Sequence, residues 1–560
     1  HHGLGLQSDN RHHISFMRKK TLMTSRIACA MVASMVTIGI AAASTRAKDP
    51  SPRPTLVVGI FVEGLTADYV NLLRSNFGPD GFNRLIVDGV TIENIDYGPG
   101  IDATAATAML VSGAAPAVNG IPSARVWDTS KRIDYPVLLD AESIGSFTEQ
   151  AMTPAPLLVS TLADEVRISD GGLGVVHAIA ADPQVAILLG GHAGNSSFWI
   201  SDITGKWTTS RHYRETPSPI ARRNIGFNLP VRIDTMAWEP ALELSLYPDL
   251  PEYKKLYPFR HTFPSRQADR FKIFKTSAPA NREIAATAVD YISTLSLGKR
   301  GVTDMLSLGF NVCPYLYGRD ADNRIETMDA YVRLDADIAG IIRAIEKGPG
   351  MDKTLFFVAG TPAPAGGKRD EEKWNIPSGQ FSPRKAVSLL NMYLMAIHGN
   401  GEWVSGYHNG YFYLNRQLLK ERGIKDSDMR REAADFLARM SGVSDVYTLD
   451  DILARRAGDT PSALRRNISA THAGDLLVMV NPGWEISDEI DGQTVNIEQS
   501  SLPVVRWQAT TSPIYIMAPS LSTGEITERV DARAIAPTIA RQLRIRSPNA
   551  ASVSPLLLDK

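Results

Sequence analysis

Cysteine is almost absent from this chain, with 2 residues in 560. Two cysteines cannot build a disulfide framework or a zinc ribbon. Neither sign of charge prevails, with 59 Lys+Arg against 60 Asp+Glu. That balance excludes a protein that grips nucleic acid through a basic surface. Internal repeats and low-complexity segments are missing too. What is present is a globular composition, 44% hydrophobic with 8% aromatic residues, which a disordered chain does not have. The length predicts several domains or one large α/β domain with insertions.

The N-terminus carries its own signal. A basic stretch from Met17 to Arg26 precedes an apolar run from Ile27 to Ala43, and Ala41-Ala42-Ala43 ends in a small-residue site before Ser44. This pattern predicts a secretory signal peptide over residues 17–48, preceded by upstream residues 1–16. The apolar run is 17 residues, at the short limit for a membrane span. The expectation is an exported protein of the periplasm or cell envelope, touching the membrane only if the signal stays uncleaved. Removing residues 1–48 takes away seven basic residues and one acidic residue, leaving 52 against 59, a net charge of −7. Seven histidines remain: His177, His192, His212, His261, His398, His408 and His472. Cys313 becomes the sole cysteine and reads as a small buried hydrophobe.

From residue 49 onward, apolar runs alternate with helical periodicity. Thr55 to Val62 is a continuous β-branched run, the pattern of a parallel strand buried on both faces. Leu65 to Ser75 and Gly81 to Asp88 are predicted helical. Pro99 to Ala106 is predicted as a loop of small residues leading into a helix at Thr107 to Ser112, with Gly113 as its C-cap. Strands are predicted at Asp304 to Gly309, Thr354 to Ala359, Leu476 to Val480 and Ile514 to Met517. Helices are predicted at Asn323 to Lys347, where Ile325, Met328, Leu334, Ile338 and Ile341 repeat at helical spacing, and at Val530 to Leu543. The alternation predicts an α/β fold, a mostly parallel central sheet with helices on both faces. Residues from about 190 to 300 and from 375 to 475 are richer in Pro, Trp and Tyr and are predicted as inserted cap segments. Trp199, Trp207 and Trp403 are expected to pack those segments.

Several segments, in order, resemble the alkaline phosphatase superfamily, and within it the exported phosphatase and type I phosphodiesterase/nucleotide pyrophosphatase branch of Bacteroidetes-like bacteria. They include LVVGIFVEGLTADYV (56–70), AMLVSGAAPAVNGI (108–121), AILLGGHAGNSSFWISDITGKW (186–207), WVSGYHNGYFYLN (403–415) and DARAIAPTIARQL (531–543). The resemblance covers almost the whole chain after the signal. It implies two zinc ions about 4 Å apart that clamp the phosphoryl group, about six Asp and His ligands, and a Thr or Ser nucleophile that forms a phospho-enzyme.

The residues at those positions do not meet the requirement. The first ligand position is Glu63. The nucleophile position, ten residues before Gly113, is Ala103, with Thr104 one residue off. The Asp-x-x-x-His pair falls on Pro314 and Gly318, the Asp-His pair on Gly360 and Thr361, and the last His on Thr511. Pro, Gly and Thr cannot replace carboxylate or imidazole. The phosphate clamp falls on Ala181 and Pro183, beside an Asp182 that repels phosphate. His192 lies in a matching segment outside the metal shell, which implies a structural role. His398, His408 and His472 lack metal-site spacing.

Three readings stay open. The first is a pseudoenzyme without its two-zinc site, binding no cofactor and acting as a binding or scaffold protein for an unknown envelope protein or small ligand. The second is an active zinc-dependent phosphomonoesterase or phosphodiesterase using Thr104. The third is a non-catalytic binder, of a ligand in the former active-site cleft or of a carbohydrate or peptide on the insertion aromatics. If the fold reading holds, Glu63, Thr104, Pro314, Gly360, Thr361 and Thr511 should meet at the C-terminal ends of the core strands.

Overall fold

The computed structural model describes residues 51–320, 322–364, 375–454, 459–488 and 511–558. The expected signal lies outside the described residues. The body that begins at Arg53 is built on a central sheet. Its strands are β1 (Leu56–Glu63), β2 (Val90–Asp96), β3 (Val176–Ala180), β4 (Ser196–Ile200), β5 (Trp207–Thr209), β6 (Asp304–Asn311) and β7 (Thr354–Thr361). A second sheet comprises β8 (Val404–His408), β9 (Tyr411–Leu414), β10 (Val443–Thr448) and β11 (Leu476–Val480). The chain then returns to the central sheet through β12 (Ser512–Met517), β13 (Gly524–Ile526) and β14 (Val530–Asp531).

The central sheet runs β13-β2-β12-β7-β1-β6-β3-β4-β5, with β14 also on β2. From β7 through β4 the neighbours are parallel. Only β5 and β12 run against their partners. β1 sits in the middle and is buried along its length, as its unbroken β-branched run requires. Alternate residues divide between two cores. Val58, Ile60 and Val62 pack on one face with Leu334 and Ile338. Val57 and Phe61 pack on the other with Met109 and Ile535. Gly59 cannot be larger, since a Cβ there would meet the Phe357 ring at 2.6 Å.

The main helices are α1 (Phe82–Asp88), α2 (Ala103–Ser112), α3 (Leu162–Ile168), α4 (Pro183–Gly190), α5 (Ala278–Thr294), α6 (Arg324–Lys347), α7 (Pro383–His398), α8 (Asp426–Leu437) and α9 (Ile535–Leu543). α2 begins four residues before the predicted Thr107, because Asp102 caps it by accepting from Ala105 N at 2.9 Å. Gly113 closes it at φ 67°, as expected. The predicted helix at Leu65 to Ser75 shortens to Ala67–Leu72 followed by a single turn at Arg74–Asn76. The predicted C-terminal helix is split, because its start is drawn into the sheet as β14 before α9.

The inserted segments divide differently from the composition-based expectation. Residues 375–488 form a cap: the antiparallel sheet β8-β9-β11-β10 covered by α7 and α8 around Trp403, Phe412, Leu390, Leu437 and Leu476. β11 therefore belongs to the cap and not to the central sheet. Much of residues 190–300 is central instead. β4 and β5 extend the main sheet, and Ile284 and Ile292 of α5 join the core beneath it. Trp199 is fully buried within β4. Trp207 packs in that same core, so neither is a lid residue.

Candidate functional site

Parallel strands present their C-terminal ends on one edge of a sheet, and ligands bind where those ends meet helix N-termini. Here that edge gathers the positions singled out from sequence. Glu63 ends β1, flanked in register by Asn311 of β6 and Thr361 of β7. Gly360 lies beside it, with its carbonyl accepting from the Tyr97 hydroxyl at 2.6 Å. A Cβ on Gly360 would reach Ser512 Cβ at 3.1 Å, which places the start of β12, and so Thr511, next to β7. Ala181 and Pro183 follow the end of β3, and Ala103 and Thr104 form the first turn of α2. Pro314 follows β6. Gly318 lies further on, where a Cβ would meet His261 at 3.4 Å and Glu326 at 3.7 Å.

The chemistry of this edge is carried by groups that sequence reading left in the background. Gly64, at φ 85°, has no side chain to occupy the space where Cys313 Sγ stands, 2.9 Å from the position of a Cβ. The Cys313 thiol and the Glu63 carboxyl influence each other's titration. Cys313, half-buried, thus lies beside a polar group, where an apolar filler was expected. Burial first, and then the negative fields of Asp182 and Asp102, push the Glu63 carboxyl up to about 8. Burial and Glu63 push the thiol up as well. Both groups therefore hold their protons at neutral pH.

Asp102 and Asp182 are committed to the backbone. Asp102 accepts from Ala105 N at 2.9 Å and Ala124 N at 2.7 Å. Asp182 caps α4 by accepting from Val185 N at 3.0 Å. Burial raises the pKa of both. Lys275 offsets Asp182 in part, but its amine is already paired with Asp202 at 2.7 Å. Each of the two aspartates stands immediately before a helix start, the N-cap position, whereas the sequence placed the first of those helices only from Thr107.

A pair of zinc ions requires deprotonated carboxylates and imidazoles facing one point. Among the described residues the candidate donors at this edge are one carboxyl, Glu63, one thiol, Cys313, and two aspartates already bonded to backbone N–H groups. Among the described residues no three His, Cys, Asp or Glu side chains are placed to hold a metal ion. The described residues do not fit the two-zinc centre implied by the resemblance.

Four of the histidines bond to the surrounding scaffold. His192 bonds Asp164 through Nδ1 and the Leu157 carbonyl through Nε2, each at 2.9 Å. His398 pairs with Glu432 at 2.7 Å, and His261 with Glu326 at 3.0 Å. His408 bonds the Arg125 carbonyl at 3.0 Å.

Comparison with known proteins agrees with the architecture. Alkaline phosphatase PhoV of Synechococcus elongatus is 24% identical over 534 residues, covering 90% of this chain and 93% of that protein. Alkaline phosphatase PafA of Elizabethkingia meningoseptica is 24% identical over 531 residues, covering 90% and 94%. The crystal structure of wild-type PafA has a TM-score of 0.77 at 23% identity, covering 90% of this chain and 98% of that one. A family model described as type I phosphodiesterase / nucleotide pyrophosphatase matches residues 57–501. With that match running from β1 through the cap, the chain belongs to the type I phosphodiesterase / nucleotide pyrophosphatase family of the alkaline phosphatase superfamily.

Proposed function

We propose that this chain is a non-catalytic member of its family, an exported binding or scaffold protein of the cell envelope. The observation that carries this reading is the set of residues on the C-terminal edge of the sheet. Where the family's chemistry calls for metal ligands stand Pro314, Gly318, Gly360, Thr361 and Thr511. Ala103 occupies the nucleophile position, and Ala181 and Pro183 the phosphate clamp. The carboxylates of Asp102 and Asp182 oppose a phosphate monoester.

The rival reading is an active zinc-dependent phosphoric ester hydrolase with Thr104 as nucleophile. Its support is the name alkaline phosphatase carried by relatives at 24% identity and the place of Thr104 in the first turn of α2. One experiment separates the two. The purified protein is expected to contain far less than one zinc per chain and to leave p-nitrophenyl phosphate and bis-p-nitrophenyl phosphate intact. Near-stoichiometric zinc, with turnover abolished in Thr104→Ala, would overturn the proposal.

A further inference from the structure

A pocket lies along the seam between the cap and the segments flanking α2. It encloses about 550 Å³, open solvent at its mouth included. Trp127, His408, Asn409, Tyr411, Tyr413 and His472 form much of its wall. Trp127 comes from the hairpin of Arg125–Asp128 and Ile133–Pro136. Its indole lies against Gly406, where a Cβ would approach Cζ2 at 2.5 Å, and stacks with His408 at 6.1 Å between ring centroids. The tight turn at Asn409-Gly410, with φ of 50° and 86°, carries the chain across the pocket from β8 to β9.

The wall is aromatic and polar but carries no free charge. Arg125 is the one Lys, Arg, Asp or Glu residue lining it, and its guanidinium is consumed by Asp134 at 2.5 Å. Burial lowers the pKa of both His408 and His472, so both imidazoles are neutral near pH 7. Nε1 of Trp127 and Oδ1 of Asn409 are buried without a hydrogen-bond partner. The Tyr411 and His472 side chains line the same pocket. Buried polar groups are normally paired, and a charged ligand entering here would lose its hydration without gaining a counter-charge.

We propose that this seam pocket binds a neutral, hydroxyl-bearing ring, with a monosaccharide unit as the ligand class. Such a ring offers an apolar C–H face to the aromatic wall. Its hydroxyl rim both donates and accepts, which matches imidazole, phenol and amide groups. The pocket adjoins that edge through Ser123 and Arg125, which flank the Ala124 N–H held by Asp102, but Glu63 is not among the residues lining it.

The test is ligand-observed NMR and calorimetry on the full chain. The probes are glucose, galactose, mannose and N-acetylglucosamine, with uridine and inorganic phosphate as controls. At least one sugar is expected to bind saturably with a Kd in roughly the millimolar range or tighter, and His472→Ala should weaken it about tenfold. Should His472→Ala fold poorly, Tyr411→Phe removes a single oxygen from the wall and should weaken the same sugar severalfold. No sugar binding at about 50 mM would overturn the proposal. So would an affinity unchanged in both variants, or binding of uridine or phosphate in place of every sugar.

Discussion

Glu63 holds a proton past neutrality, and that gives it a pH signature in stability. A carboxyl raised in the fold to about 8 from 4.5 is protonated in both states below the lower value. Between the two values the unfolded chain releases its proton while the folded chain keeps it. Stability therefore falls as pH rises through that window and levels off above it. The loss is of order a few kcal/mol at most. In Glu63→Gln the slope between pH 5 and 8 should flatten, and the variant should exceed the native chain in stability at pH 8. Denaturant unfolding across that range tests this, and parallel curves for the two proteins would refute it. The residue was legible in sequence as the end of an apolar strand. Its protonation was not, because Cys313, Asp102 and Asp182 reach it from three separate segments.

At the scale of elements, α2 shows how one side chain sets a boundary. Its sequence, ATAATAMLVS, has no polar face, so periodicity could not place the N-terminus, and small residues read as loop. Asp102 decides it. One carboxylate oxygen caps the helix and the other holds Ala124 N. Asp102→Ala should cost about 1–2 kcal/mol, measured by chemical denaturation. Asp102→Asn keeps one acceptor at the cap but sets its amide donors against the second backbone N–H, so it should cost about 1 kcal/mol, less than Asp102→Ala. An equal loss in both variants would mean that charge, not capping, fixes the helix start. β11 went astray for another reason. Its LLVMV run is buried in either sheet, and periodicity cannot say which one.

The described residues form separate cores, among them two on the faces of the central sheet and one inside the cap. Within the cap, Asp475 accepts from Leu414 N at 2.8 Å and pairs with Arg430 at 3.0 Å and Arg416 at 3.1 Å. Arg430 and Asp475 are both buried. Asp475→Ala leaves Arg430 with Asp450 at 3.0 Å as its remaining close partner and takes the acceptor from Leu414 N, and should cost about 2–3 kcal/mol. Hydrogen exchange should show the loss in residues 375–488, with protection retained in β1, β6 and β7. Uniform loss across both sheets would refute a separately unfolding cap. By itself the sequence determined the buried parallel strands, the long amphipathic α6 and the residue types at the family's chemical positions, because hydrophobic runs and side-chain identity are local properties. Which sheet each strand joined, which aspartates surround Glu63, and the charge-free seam between cap and core were decided only by tertiary structure. Those features arise where segments hundreds of residues apart come into contact, and no local pattern records that.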